Sequence, residues 1–343
     1  MKKTLLVFAA FAFVYGVKAQ QKPHYTQYIL NNFIVNPAVA GIENYWDAKI
    51  SHRRQWVGLD GAPVTTYATI HGPLSKDDYG RETVTTVHAP GENPRGSAYW
   101  DNYESAKGHH GVGFTILNDI TGPINRTSVS GTYAYHLGIA PRISLSMGAS
   151  IGLQNNRLDA SKLNFGGPNP GSDPAVAGTG DLNKWTPDLA VGVWLYSADY
   201  FVGVSAQQLW PAELSFAEDN TLIKEKGKLV PHLFGTLGFR TFFTDDISFV
   251  PSVMVRYASP TPISFDVNAK VQYQDLFWVG GSYRYSDGFA GMIGVNISNT
   301  FNIGYSYDIT TSRLNTVSKG SHEFLVGFLL GNKFNDWCPR NLW

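Results

Sequence analysis

Histidine, serine and acidic side chains are the groups that could do chemistry in this chain, and their spacing does not assemble them. A nucleophile, its base and an orienting group must come within hydrogen-bond reach. No G-x-S-x-G elbow occurs, the nine His are scattered, and no alternating segment brings a Ser, a His and an Asp together. His109 and His110 could begin a metal site, but adjacent residues on a strand point to opposite faces and no carboxylate cluster accompanies them. Neither catalysis, a bound metal nor a cofactor is expected. The only cysteine, Cys338, cannot form an intramolecular disulfide. With 27 basic and 27 acidic residues, the chain has no basic footprint for nucleic acid.

Several of the charged groups sit at fixed places in a pattern, and the pattern is more informative than the groups. Asp266 and Lys270 fall on one face of a segment in which Ile263, Phe265, Val267, Ala269, Val271 and Tyr273 form the other. Phe301, Ile303, Tyr305, Tyr307 and Ile309 alternate with Asn302, Gly304, Ser306 and Asp308. Ile143 to Leu153 alternates in the same way against Ser144, Ser146, Gly148, Ser150 and Gly152. A period of two is the signature of a strand with two unlike faces. Charged residues are only 16% and aromatics 14% of the chain, which suits a surface turned largely to lipid.

An exported chain fits that surface. Lys2 and Lys3, the apolar run Leu5 to Tyr15 and the small-residue site Val17-Lys18-Ala19 read as a signal peptide over 1–19, cleaved after Ala19. Beyond it no stretch reaches the ~18 apolar residues of a membrane helix, so a spanning structure has to be a closed barrel that satisfies its own backbone. Fourteen strands are expected, near 46–56, 63–73, 110–120, 127–137, 142–155, 187–197, 199–209, 231–244, 247–257, 262–274, 276–286, 289–298, 300–310 and 321–331. The predicted fold class is thus all-β, a transmembrane antiparallel β-barrel over 46–331. Tyr135, Tyr257, Tyr273, Tyr283, Tyr285 and Tyr307 suit its interfacial girdles.

Loop lengths orient it. Gly138 to Pro141, Ser197-Ala198, Asp245-Asp246 and Asn299 read as short turns, which barrels place in the periplasm. Asn156 to Thr186, Trp210 to Val230 and Thr311 to Gly320 read as the longer outer loops. The polar insertion 74–109 breaks the rule, being long yet on the periplasmic side, and Tyr99, Trp100 and Tyr103 are its candidate partner anchors. Inward Arg256, Asp266, Lys270 and Arg284 should pair along the wall and not form a single-sign selectivity ring.

Two segments remain. The stretch 20–45 carries Tyr25, Tyr28, Ile29, Phe33, Ile34 and Val35, too apolar to dangle, and is expected to pack in the periplasm or the lumen. A C-terminal extension covers 332–343. In RQWVGLDGAP, Asp60-Gly61 is a hairpin-turn signal, and Arg54, Gln55 and Trp56 are candidates for presenting that turn to a partner, the other reading being a structural turn with a girdle Trp.

YILNNFIVNPAVAG at 28–41 and RQWVGLDGAP at 54–63 resemble motifs of the PorP/SprF family of the type IX secretion system. The resemblance continues through LNDITGP, through PDLAVGVWLYSADYFVGVSAQQL at 187–209 and to Ser321-His322-Glu323. It implies an outer-membrane barrel that works without catalysis, touching outer-membrane lipid. Its implied partners are periplasmic ring components of the secretion machinery or a secreted surface adhesin, including one used in gliding. A passive channel for small solutes is the alternative.

Overall fold

The computed structural model describes residues 22–74, 96–97, 101, 105, 107–159, 162, 183–212, 229–274, 276–285, 287–298 and 300–331. After three short 3-10 turns the chain forms strands β1 (Trp46–Arg54), β2 (Val64–Pro73), β3 (His109–Thr121), β4 (Ile124–Ala140), β5 (Ile143–Leu158), β6 (Asn183–Ser197), β7 (Tyr200–Gln207), β8 (His232–Phe239), β9 (Thr241–Thr244), β10 (Ile247–Ala258), β11 (Ser264–Tyr273), β12 (Phe277–Arg284), β13 (Gly288–Ser298), β14 (Phe301–Thr310) and β15 (Ser321–Leu330). Each pairs antiparallel with its sequence neighbour; β15 pairs with β1, and β10 pairs with both β8 and β11, which closes the ring. Segments β8 and β9 are one span broken at Arg240, so the barrel has fourteen strands. Closure leaves no free sheet edge inside lipid, the condition under which strands can span a membrane.

Alternation sets the two faces as expected. On β11, Asp266, Asn268, Lys270 and Gln272 are buried while Val267, Val271 and Tyr273 are exposed on the outside. On β5 the buried Ser144 and Ser146 alternate with Met147, Ile151 and Leu153, whose side chains cover the outer surface. Such a continuous apolar exterior would be an aggregation liability in water and is the normal outer face of a membrane barrel.

The two ends differ. Apart from the insertion between β2 and β3, one, the turn end, carries only the short connections 141–142, 198–199, 245–246, 274–276 and 299–300; the other, the loop end, carries the long connections 55–63, 159–182, 208–231 and 311–320 together with the short ones 122–123, 259–263 and 285–287. The insertion between β2 and β3 lies at the turn end. The wall is uneven: β4, β5 and β6 have 17, 16 and 15 residues against 8 in β7 and in β8. Two sequence expectations are corrected. Gly138 and Ala140 belong to β4, with a register shift between them, and the tight turn is Pro141-Arg142. The strand expected over 231–244 is interrupted, because Arg240 leaves the ladder and donates its N–H to the Asp199 carbonyl at 2.7 Å.

The interior is less polar than simple alternation implies. Tyr67, Leu117, Trp194, Tyr196, Phe234, Met254, Trp278, Met292 and Leu325 point inward and are buried. They are buried because residues 22–45 occupy the lumen. That segment folds as the 3-10 turns Gln27–Leu30, Asn32–Ile34 and Pro37–Val39. The third starts in the favoured way, with the Asn36 side chain accepting from the Ala38 N–H and Pro37 having no N–H to satisfy. Its apolar side chains complete two cores: Phe33, Ala38, Val39 and Ile42 with Trp194 and Phe201, and Tyr25, Tyr28, Ile29 and Val35 with Tyr67, Phe234 and Trp278.

The facing of β5 is testable by charge. Met147→Arg puts a cation on the lipid face and should reduce heat-modifiable, assembled barrel by ~2–4 kcal/mol of stability. Ser150→Arg, which faces the lumen, should assemble well; the reverse ranking would invert the faces.

Candidate functional site

Inside a barrel a plug has to find partners for its backbone on the wall, since an unpaired buried N–H or C=O is costly. Toward the turn end the plug segment that meets these partners is the motif NPAVAG at 36–41. The Asn36 amide donates to the Val193 and Val204 carbonyls at 3.1 and 3.3 Å, reading two neighbouring strands at once. Ser146 Oγ donates to the Ala38 carbonyl at 2.6 Å, and Ser205 Oγ to the Val35 carbonyl at 2.6 Å. Three buried histidines hold the turn at Ala40-Gly41. His136 Nε2 meets the Ala40 carbonyl at 2.8 Å, His109 Nε2 the Gly41 carbonyl at 3.2 Å, and His71 Nδ1 accepts the Gly41 N–H at 3.3 Å. His109 and His136 stack with ring centroids 4.5 Å apart. So the His109 side chain is a plug contact, and its neighbour His110 faces outward against Tyr133, which leaves no shared metal site for the pair.

Contact this close needs a wall without side chains. A Cβ on Gly111 of β3 would overlap the Ala40 carbonyl, one on Gly148 of β5 would come within 2.7 Å of Ala38, and one on Gly192 of β6 would overlap the Asn36 side chain. Gly41 itself takes φ +77°, a conformation that other residues rarely adopt, with its α-carbon against Gly111. Ala134, fully buried, fills the corresponding place on β4.

Near the loop end the wall offers charge instead. Arg256 on β10, Asp266 on β11, Arg284 on β12, Asp308 on β14, Arg53 on β1 and Glu323 on β15 form a chain of alternating sign. Arg256 donates to Asp266 at 3.0 Å, Arg284 Nε lies 3.4 Å from Asp266, and Arg284 Nη1 lies 3.8 Å from Asp308. Arg53 bridges Asp308 at 2.6 Å and Glu323 at 3.2 Å. The plug inserts into this row through Thr26: its N–H donates to Glu323 at 2.8 Å, its hydroxyl donates to Asp308 at 2.6 Å and accepts from Arg53 at 2.8 Å. Gln27 adds a bond to the Glu323 carbonyl, and Asn268 donates to the Tyr28 hydroxyl.

Of the candidates read from sequence, Arg54 is exposed on the outside, one residue out of phase with the network; Arg53 is the inward group that sequence reasoning missed. Strict alternation along Lys49, Ser51 and Arg53 was the available signal. Asp60-Gly61 belongs to the turn that joins the β1–β2 hairpin, with Gly61 at φ +70°. It lies in the nine-residue loop 55–63, where Asp60 is exposed and the Gly61 carbonyl accepts from the Gly122 N–H at 2.8 Å. Gln55 and Trp56 are half-buried. Trp56 donates its N–H to Ser321 Oγ at 3.1 Å, and Val57 pairs with Lys319 and Gly320, so this loop is fastened to the connection 311–320. Gln55 and Trp56 also line, with Arg53, Arg284 and Asp308, a recess at the loop end. Tyr99, Trp100 and Tyr103 lie outside the described residues. Among the described residues no cluster of three or more His, Cys, Asp and Glu could hold a metal ion.

The plug does not fill the lumen completely. A cavity of about 70 Å³ lies between the plug and the tall wall β3–β6, bordered by Lys22, Tyr25 and Phe33 on one side and Thr115, Ser128, Ser130, Thr132 and Ser150 on the other.

A family model described as type IX secretion system membrane protein PorP/SprF matches residues 17–328. No curated protein matches. Similar solved structures include the toluene transporter TbuX of Ralstonia pickettii, at 10% identity and TM-score 0.49, covering 86% of this chain and 92% of that one. The Acinetobacter baumannii outer membrane protein Omp33 is similar at 10% identity and TM-score 0.45, covering 84% and 100%. The translocator domain of autotransporter NalP from Neisseria meningitidis follows at 10% and 0.35, covering 94% and 96%.

The neighbours Arg53 and Arg54 give a sharp comparison. Arg53→Met strands Asp308 and Glu323 beside Thr26 without their shared cation and should cost about 3–5 kcal/mol, as breaking a buried pair does. Arg54→Met, on the outer face, should change the denaturant midpoint of the refolded barrel little; equal effects would remove the network from the account.

Proposed function

The chain belongs to the PorP/SprF family of type IX secretion system membrane proteins, and from that premise we propose that it is a non-enzymatic, non-conducting outer-membrane scaffold that binds secretion machinery or secreted cargo at its two ends. The observation that carries this is the plug. A segment bonded to strands on every side of the lumen leaves no wide conduit for a client chain, so work done by this barrel falls to its ends and rims. Oriented by the usual rule of short periplasmic turns, the turn end and its insertion face the periplasm and the loop end faces out. Cleavage after Ala19 would free the segment that becomes the plug.

The periplasmic insertion is the candidate for docking to ring components. A polar loop of this length recovers little of its ordering entropy from its own few apolar residues, so a partner that orders it would supply the missing contacts. Tyr99, Trp100 and Tyr103 are its proposed anchors, because buried aromatics carry much of the energy of an interface. On the outside, Gln55 and Trp56, with Arg54 and Asp60 beside them, form part of a loop-end surface suited to a secreted partner such as an adhesin. The cavity along β3–β6 supports the second reading, a narrow path for small solutes past the plug.

Planar-bilayer recordings separate the readings. The native barrel should show no steady conductance, and Gly111→Val, which displaces the Ala40-Gly41 turn, should open it; steady conductance of the native chain in the absence of the substitution favours the channel. Replacing Asp77 to Lys107 by a Gly-Ser turn should preserve heat-modifiable barrel and abolish co-purification of periplasmic machinery from solubilised outer membranes. Unchanged co-purification with normal secretion would eliminate the docking role of the insertion.

A further inference from the structure

The direction in which the plug runs assigns a place to the amino terminus. The last residue of β7, Gln207, and the first of β8, His232, form the loop-end rim of the short wall and bracket the connection 208–231. Lys22 is held by both: its N–H donates to His232 Nε2 at 3.3 Å and its ammonium to Gln207 Oε1 at 2.6 Å. Thr26, four residues on, crosses to the same level of the opposite wall, where Asp308 and Glu323 stand near the loop-end limits of β14 and β15. The chain then dips to Thr69 of β2 at Asn31, comes back beside Gln207, which donates to the Ile34 and Val35 carbonyls, and from Asn36 descends. Asn36 reaches Gly192, Ala38 reaches Ser146, and the Ala40-Gly41 turn reaches His136, His71 and His109, the last being the first residue of β3 at the turn end. From there the chain enters β1.

We infer that the plug is seated with its amino-terminal end at the loop end, so that the processed amino terminus lies at the outer mouth of the barrel and is reached from outside the cell. This goes beyond the scaffold role and rests on that reading for which end faces out and for cleavage after Ala19. A segment entering from the periplasm and ending there would put Lys22 beside the turns; it sits instead at the opposite rim, with the barrel wall closed around everything that follows it. The wall bonds explain why the direction is fixed. Carbonyls at 38, 40 and 41 match wall donors at the turn end, and the Thr26 N–H matches a carboxylate at the loop end; reversing the segment would place carbonyls against Glu323 and Asp308, which accept and do not donate when ionised.

The test places a short epitope between Gln20 and Gln21 in a chain whose Cys338 is replaced by Ser, and probes intact and permeabilised cells with antibody. Gln21→Cys, labelled with an impermeant maleimide, is a smaller change that serves where the epitope blocks formation of heat-modifiable barrel. Ser172→Cys and Asp246→Cys report which end faces out. The expected result is equal epitope signal before and after permeabilisation, labelling of Gln21→Cys and of Ser172→Cys on intact cells, and none of Asp246→Cys. Labelling of Ser172→Cys with an amino terminus detected only after permeabilisation would overturn the inference and leave the orientation standing. Labelling of Asp246→Cys alone overturns the orientation, and with it the outward amino terminus.

Discussion

The constraint on which this structure depends is the satisfaction of a backbone that has no secondary structure of its own to rely on. Residues 22–45 make only short 3-10 turns, and they lie in a lumen where few waters can reach them. The carbonyls and N–H groups that these turns leave unbonded therefore need partners on the wall. The wall provides them in two chemical dialects. Toward the turn end Ser146, His109 and His136 meet plug carbonyls and His71 accepts a plug N–H; toward the loop end Glu323 and Asp308 accept from Thr26, and Gln207 at the rim donates to the Ile34 and Val35 carbonyls. The strands are spaced by their own ladders, so this matching fixes the plug in position and direction at once.

Packing obeys the same constraint. Side-chain donors on a strand reach a plug carbonyl only when the plug backbone lies almost on the sheet, and on β3, β5 and β6 that nearness requires Gly111, Gly148 and Gly192. Each bond is worth only ~1 kcal/mol net, so no single one holds the segment. Their number, together with the apolar side chains buried against Trp194 and Trp278, does. The buried row of six charges is a different kind of element. Its alternating sign leaves almost no net charge to repel or attract an ion, and its formation strengthens position more than stability, since removing charge pairs altogether is often neutral whereas removing one partner is not.

Much of the barrel was legible in the sequence because strand alternation and membrane thickness leave few choices. The segments from Phe301 to Ile309 and from Ile263 to Tyr273 have one face for lipid and one for the lumen, and both formed as read. Boundaries were less legible where a local event competes with the ladder, as at Arg240 and at Gly138. The plug interface was only half legible. Sequence placed an apolar segment before β1 without saying which strands it meets, because a lumen contact joins residues such as Asn36 and Gly192 that no local pattern connects. A signal did exist. On β6 the inward positions Gly192, Trp194 and Tyr196 are not the polar set a water-filled lumen needs, and two large aromatics facing inward beside a glycine describe a surface shaped for another part of the chain.

That same reasoning explains why Arg54 attracted attention and Arg53 carries the interaction. A motif read as a string gives adjacent residues equal weight, but in a strand the phase decides everything: one step along β1 moves a guanidinium from the carboxylates of β14 and β15 to the outer face. The motif's second half follows from the first. With Arg53 tying β1 to β14 and β15, the loop 55–63 emerges beside the connection between those two strands and pairs with Lys319 and Gly320. Gln55 and Trp56 are thereby carried to the edge of the recess above the charge row. The loop-end surface is thus organised from below, by charges that also hold Thr26.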